Sequence, residues 1–213
     1  VPGMDVFVNI YRAIKQIKLR TSRRKPVFCL FLDFKSAFNS IPHEELFTKL
    51  MSICSENEVL LLRAIYSRLK IKLGTEMTNC NIGVAQGSMI SPALFDIFTE
   101  SLILSLKDNG WSLEDILAFA DDHLIICDSV KDLERAISLV KHWCSNSNIS
   151  LNSQKSGVLE IIPPRGKHSL SLNSTVADIP VVSSYKYLGV EFDHKLTGDL
   201  HMNSNIKNPF YIL

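Results

Sequence analysis

Two consecutive acids, Asp121 and Asp122, interrupt the apolar segment LAFADDHLIIC, and a third, Asp33, closes the apolar run VFCLFLDF far upstream. A carboxylate drawn into apolar surroundings is costly unless it is paired or binds a cation, so metal binding is the first chemistry to consider. If Asp33 and Asp121 lie on neighbouring strands, they can share two Mg²⁺ ions roughly 3.5–4 Å apart, the arrangement used for in-line phosphoryl transfer. Hard oxygen ligands at strand ends suit Mg²⁺ better than zinc. Successive side chains on a strand point to opposite faces, so the two adjacent acids converge only if they lie in the turn itself, and one should dominate. The plain alternative is an Asp-Asp pair that merely closes a hairpin, where Asp is common. Taken alone, the pair favours the turn.

The elements that would position these acids alternate between helix and strand. Val6, Ile10, Ala13, Ile14 and Ile17 recur at helical spacing, which predicts an amphipathic helix from Met4 to Leu19. Residues 27–32 read as a buried strand ending at Asp33. Pro42 opens a helix with Leu46, Leu50, Ile53 and Cys54 inward, and a second runs from Glu58 to Leu69. Two short extended pieces follow, separated by GTEMTN, then the loop NIGVAQGSMISP. Ser91 as cap and Pro92 as first residue start a helix to about Lys107, stopped by Asp108, Asn109 and Gly110. Leu117–Phe119 and Leu124–Cys127 form a hairpin with the acids near its turn. Ser129 caps a helix with the buried stripe Leu133, Ile137, Val140 and Cys144. Shorter strands are expected at 157–162, 169–172, 179–182 and 185–192. The order implies an α+β layer, an antiparallel sheet with helices on one face.

With 213 residues the chain is long enough for a sizeable core, and 46% hydrophobic residues argue against disorder. Lys and Arg total 23 against 22 acids, so net charge makes no case for a nucleic-acid partner. Distribution makes a modest one. Residues 1–25 hold seven cations (Arg12, Lys15, Lys18, Arg20, Arg23, Arg24, Lys25) and one acid, Asp5. Such a cluster reads more readily as a solvated face than as a phosphate track. The five cysteines, Cys29, Cys54, Cys80, Cys127 and Cys144, share no metal-ligand spacing and read as reduced thiols of an intracellular protein. No stretch is apolar enough for long enough to cross a membrane, and no secretory pattern opens the chain. It starts at Val1 rather than Met, which fits a piece of something longer.

The segments LFLDFKSAF, GVAQGSMISP, FADD, LNSQKSGVL and YKYLGVEFD occur in this order between Val27 and Asp193. Together they resemble the successive palm motifs of reverse transcriptases, most closely the non-LTR, LINE-like retrotransposon group. The resemblance implies a right-hand polymerase palm with a ferredoxin-like antiparallel sheet and part of the fingers over residues 1–193. Residues 194–213 would begin a thumb, with outer fingers and the rest of the thumb not included. It implies an RNA-directed DNA polymerase that adds deoxynucleoside triphosphates to a DNA primer on an RNA template with two Mg²⁺ ions, Mn²⁺ serving as a substitute. Asp33, Asp121 and the main-chain carbonyl of Phe34 would hold the metals, with Asp122 a peripheral acid. Phe38 would be the steric gate against a ribose 2′-hydroxyl, or else simple core packing. Gln86, Gly87 and Ser88 would meet nucleotide and template, and Lys155 would protonate the leaving pyrophosphate. Tyr187, Leu188 and Gly189 would grip the primer. Nucleus or cytoplasm is the expected location, and protein partners are not specified. Asn39, Ala85 and Phe119 stand where related sequences usually carry Asp, Pro and Tyr. The alternative is a non-catalytic relic of a mobile element or a maturase-like RNA-binding protein. An RNA-dependent RNA polymerase is disfavoured by Phe38.

Overall fold

All six residues of β1 (Val27–Leu32) are buried in the computed structural model, so neither face of this strand is left to solvent. The structure describes residues 6–73, 76–79, 81–85, 87–194 and 196. These fall into two compact units. One comprises residues 34–111 and 138–152, and the other residues 6–33, 112–137 and 153–196.

The second unit carries a four-stranded antiparallel sheet in the order β4 (Ile116–Phe119), β5 (Asp122–Cys127), β1, β6 (Gly157–Ile161). β1 lies between β5 and β6, with Leu32 opposite His123 and Val27 opposite Ile161. Helix α1 (Val6–Ser22) covers one face, where Ile10, Ala13 and Ile17 meet Val27, Cys29, Phe31, Leu117, Leu124 and Ile126. A second set of α1 side chains at helical spacing ties it to the edge of the sheet. Asn9 donates to the Ala118 carbonyl at 3.2 Å, Arg12 to the Leu113 carbonyl at 2.8 Å and Gln16 to Glu114 at 3.0 Å. Arg20 pairs with Asp115 at 2.9 Å and Asp128 at 2.6 Å. Two of the seven N-terminal cations therefore serve the protein's own fold.

The hairpin of β9 (Ser184–Tyr187) and β10 (Val190–Asp193) stacks aromatic rings onto the same face, with Tyr185 lying flat on Phe31 at 4.3 Å. Sequence reading took 185–192 for one strand. Leu188 and Gly189, with φ of +49° and +82°, break it into a two-residue turn. Residues 169–172 form no strand either. The buried carboxylate of Glu160 takes the N–H groups of Ser169 and Leu170, at 2.8 and 3.0 Å, which a ladder would need. A small pair, β7 (Thr175–Val176) and β8 (Ile179–Pro180), follows instead.

The first unit is mainly helical. α2 (His43–Leu50) follows Pro42 as expected, with Leu46 and Leu50 buried, but Ile53 lies beyond the helix and is 56% exposed. α3 (Glu56–Tyr66) starts two residues before the predicted point, at a complete Ser55–Glu58 capping box. β2 (Lys70–Leu73) and β3 (Glu76–Asn79) pair antiparallel, so EMTN is a strand rather than part of a separator, while residues 74 and 75 lie outside the described residues. α4 (Ser91–Asp108) has Pro92 in its first turn. Ser91 is inside the helix rather than its cap, because its hydroxyl donates to the Ala85 carbonyl at 2.6 Å. α5 (Val130–Asn146) buries Leu133, Ile137, Val140 and Cys144 as its periodicity predicts.

A short 3₁₀ turn (Ala37–Asn39) carries Phe38. The glycine loop is sewn to it: Val84 N–H donates to the Phe38 carbonyl at 2.7 Å, Gly83 N–H to the Ile41 carbonyl at 2.7 Å, and His43 Nε2 lies 2.6 Å from the Gly83 carbonyl. At Gly83 φ is +84°, and an added Cβ would fall 2.9 Å from the Asn39 Cα. Gly83→Ala should therefore cost about 1–3 kcal/mol, the range for a side chain forced into a sparsely populated backbone region. Thermal unfolding measures this as a drop of roughly 2–4 °C per kcal/mol; an unchanged midpoint would show that the loop is not pinned there.

Candidate active site

β4 and β5 are joined by Ala120 and Asp121 alone, since Phe119 pairs with Asp122. Ala120 has φ +50°, a left-handed conformation that costs a residue with a Cβ about 1–2 kcal/mol. Asp121 stands exposed in this turn, and Asp122 is the first, half-buried residue of β5. Because Leu32 faces His123 across the sheet, Asp33 follows β1 at the same end. The strand alternation puts Asp33 and Asp122 on the face of Phe31 and Leu124, where Tyr185 and Tyr187 pack.

The charges of Asp121 and Asp33 reach Asp122. Burial raises the Asp122 carboxyl above its usual range, and the charges of Asp121 and Asp33 raise it further. The Tyr185 phenol is pushed up to about 12 by burial and by Asp33 and Asp122. Burial and the charge of Asp122 also raise Tyr187. None of the three acids forms an ion pair among the described residues. Repulsion without a protein cation is the electrostatic setting a divalent cation relieves, and two carboxylates fit Mg²⁺, which completes its shell with water and substrate phosphates. No group of three or more His, Cys, Asp or Glu side chains placed to hold a metal occurs among the described residues. His123, buried beside the turn with its pKa lowered to about 4 by burial, stays neutral.

Two side chains missed by sequence reading fix the segment around Lys155. The Asp33 N–H donates to Ser156 Oγ at 3.1 Å, and the Tyr185 hydroxyl donates to the Lys155 carbonyl at 3.0 Å. Lys155 itself is exposed. Gly157 makes room for this clamp, since a Cβ there would sit 2.8 Å from the Tyr185 ring. The alternation in SYKY, which places both tyrosines on one face, was the available signal. Tyr187 is 1% exposed and packs on Phe31 and Phe192, so its ring belongs to the core, and the Leu188–Gly189 turn is what the hairpin presents.

In the other unit, Phe34 is buried against Trp143, with ring centroids 5.7 Å apart. Phe38 stacks on Phe95 of α4, at 4.8 Å and 23°, and is half-buried. Gly87 (φ +83°) and Ser88 precede α4, whereas Gln86 lies outside the described residues.

Residues 4–192 match the reverse transcriptase (RNA-dependent DNA polymerase) family. The chain belongs to this family. Among relatives of the chain, the RNA-directed DNA polymerase from mobile element jockey of Drosophila melanogaster is 25% identical over 84% of the chain and 21% of that protein. The Pol polyprotein from the type-1 retrotransposable element R2 of Popillia japonica is 25% identical over 86% of the chain and 34% of that protein. These place it with the non-LTR, LINE-like type. The chain thus spans a fifth to a third of these relatives. The fold is shared with the telomerase of Candida albicans, solved with a fragment of telomeric RNA, at TM-score 0.64 and 12% identity over 91% of the chain and 33% of the telomerase. That is the right-hand polymerase fold.

The raised pKa of Asp122 carries a stability consequence. Its proton binds more tightly in the folded state, so the associated stabilisation is present below the unfolded pKa and is lost as pH rises through the folded one. Asp122→Asn should melt above the wild type near neutral pH without divalent cations, and this advantage should shrink as pH falls toward the ordinary carboxylate range of about 4. Mg²⁺ should narrow the gap by stabilising the wild type. Thermal scans across pH, with and without Mg²⁺, check this; a gap independent of pH would remove the repulsion argument.

Proposed function

We propose that this chain is the catalytic palm of an RNA-directed DNA polymerase, extending a DNA primer with deoxynucleoside triphosphates on an RNA template. The observation that carries this reading is the grouping of Asp33 and Asp121 around Asp122, with no ion pair to any of the three among the described residues, in a chain of the reverse transcriptase family. Asp33 and Asp121 would hold two Mg²⁺ ions, or Mn²⁺ in their place, with the Phe34 carbonyl as a further oxygen. When bound, such ions stabilise the attacking and leaving oxygens of an in-line displacement.

The protein's own groups do the positioning. The strained Ala120 turn projects Asp121 beyond the strand, while Asp122 stays behind it on the packed face as a peripheral acid. Tyr185 holds the main chain of Lys155, whose ammonium would protonate the departing pyrophosphate. The roles implied for Phe38, Gln86, Gly87 and Ser88 toward the nucleotide, and for the Leu188–Gly189 turn toward the primer end, belong to the same proposal. An intracellular location, nucleus or cytoplasm, belongs to the same proposal.

Primer extension on an RNA template, with this chain carried in its full-length protein, tests the reading. Asp121→Asn should reduce extension to background while leaving the fold intact; undiminished extension would sink the assignment. Tyr185→Phe removes one hydrogen bond, about 0.5–1.5 kcal/mol. It should lower kcat by up to roughly tenfold, since 1.36 kcal/mol is tenfold in rate, with nucleotide KM little changed. An effect confined to KM would detach Tyr185 from the Lys155 step.

A further inference from the structure

A cavity of about 540 Å³ opens at the other end of the sheet from the acids, lined by Lys18 and Thr21 of α1, Ile161 to Arg165, His168, His194 and Leu196. Four of these ten residues are basic and none is acidic. The neighbouring acid Glu160 has its carboxylate occupied by His168 Nδ1 at 3.1 Å and the N–H groups of Ser169 and Leu170. β1 separates the cavity from Asp33 by six residues, or about 20 Å at ~3.3 Å per residue, so this is a second site.

Arg165 is held in an unusual conformation. Pro163 to Gly166 form a turn, closed by the Gly166 N–H donating to the Pro163 carbonyl at 2.8 Å, in which Arg165 has φ +65°. With proline before it, that position favours Gly or Asn. Stability alone would not place a long cationic side chain there, and strain of this kind collects where a ligand is held. The cavity floor is apolar, and the His168 and His194 rings, with centroids 5.9 Å apart, offer faces on which a base can stack. Cation supply also exceeds what one phosphate needs. Lys167 is exposed beside the cavity, and the pairing of Val27 with Ile161 brings the exposed Arg23, Arg24 and Lys25 to the same end of the sheet.

We propose that this cavity binds a nucleotide unit of a single-stranded RNA, its phosphate on Lys18 and Arg165 and its base against the histidine-lined floor, with neighbouring phosphates on the flanking cations. The site anchors RNA independently of the metal-binding acids and does not depend on polymerisation. Anisotropy titration of a labelled single-stranded RNA with the 213-residue chain, over a series of salt concentrations without divalent cations, reads it directly. Lys18→Gln combined with Arg165→Gln should weaken binding at least tenfold. It should also flatten the plot of log affinity against log salt by about 1.4, two contacts at ~0.7 each. Binding is read without divalent cations or nucleotides, so a failure here stays distinct from a failure of the polymerase reading.

Arg165→Gly separates binding from structure. It relieves the strained φ and should melt at or above the wild type, yet bind RNA more weakly. Wild-type affinity and salt slope in the folded double variant would overturn the proposal. Displacement of the RNA by low-millimolar inorganic phosphate would overturn it too, by making the cavity a site for a free anion.

Discussion

The half-buried carboxylate of Asp122, set beside the charges of Asp121 and Asp33 at the end of an apolar sheet, is the constraint on which the rest of this structure turns. Asp33, Asp121 and Asp122 are brought together by a register set elsewhere, in the pairing of β1 with β5. That register is paid for by burial: every β1 side chain is covered, and a slip by one residue would turn the whole set inside out. The hydrophobic core thus holds charges where they would not go by themselves. α1 contributes through its apolar stripe and through Asn9, Arg12, Gln16 and Arg20, which fasten it along residues 113–118 and 128.

Where the chain must present something, it does so from strained turns. Ala120 precedes Asp121, Leu188 sits at the tip of the second hairpin, and Arg165 edges the distal cavity, all with φ near +50° to +65°. None is Gly, Asn or Asp, the residues that take this conformation at little cost. Each is over-determined by what surrounds it: β4 and β5 for Ala120, the aromatic stack of Tyr185 and Tyr187 for Leu188, the proline pair for Arg165. Rigid elements absorb the strain, and function-bearing groups stand beside it.

How much of this could be read from the sequence depended on whether the governing physics was local. β1, the turn carrying the acids, α2, α4 and α5 were legible because periodicity, proline and capping residues act within a few positions. The β9–β10 hairpin was not, since SYKYLGVEFD is apolar and β-favouring throughout and nothing in Leu188 announces a positive φ. Residues 169–172 failed for a tertiary reason, the capture of their N–H groups by Glu160. In the candidate site, the acids and Lys155 were chosen from motifs, but Ser156 and Tyr185, which hold them, are defined by long-range hydrogen bonds. Tyr187 was chosen over Tyr185 although its ring is core, because a motif records which residue recurs and says nothing about which face it occupies.

The sheet ends up electrically polarised, acids at one end of β1 and uncommitted cations at the other. At physiological ionic strength the Debye length is about 8 Å, so two ends about 20 Å apart act on a polyanion almost independently. The cations cannot offset the repulsion that the acids exert on a phosphate backbone; the divalent ions proposed for the acids would do that. What the proposed distal site would supply is local concentration, since a strand held there would keep its neighbouring segment within reach of the acids. The division follows from screening alone. The proposed binding and the proposed chemistry are therefore separable on this scaffold, and weakening one end would leave the other in place.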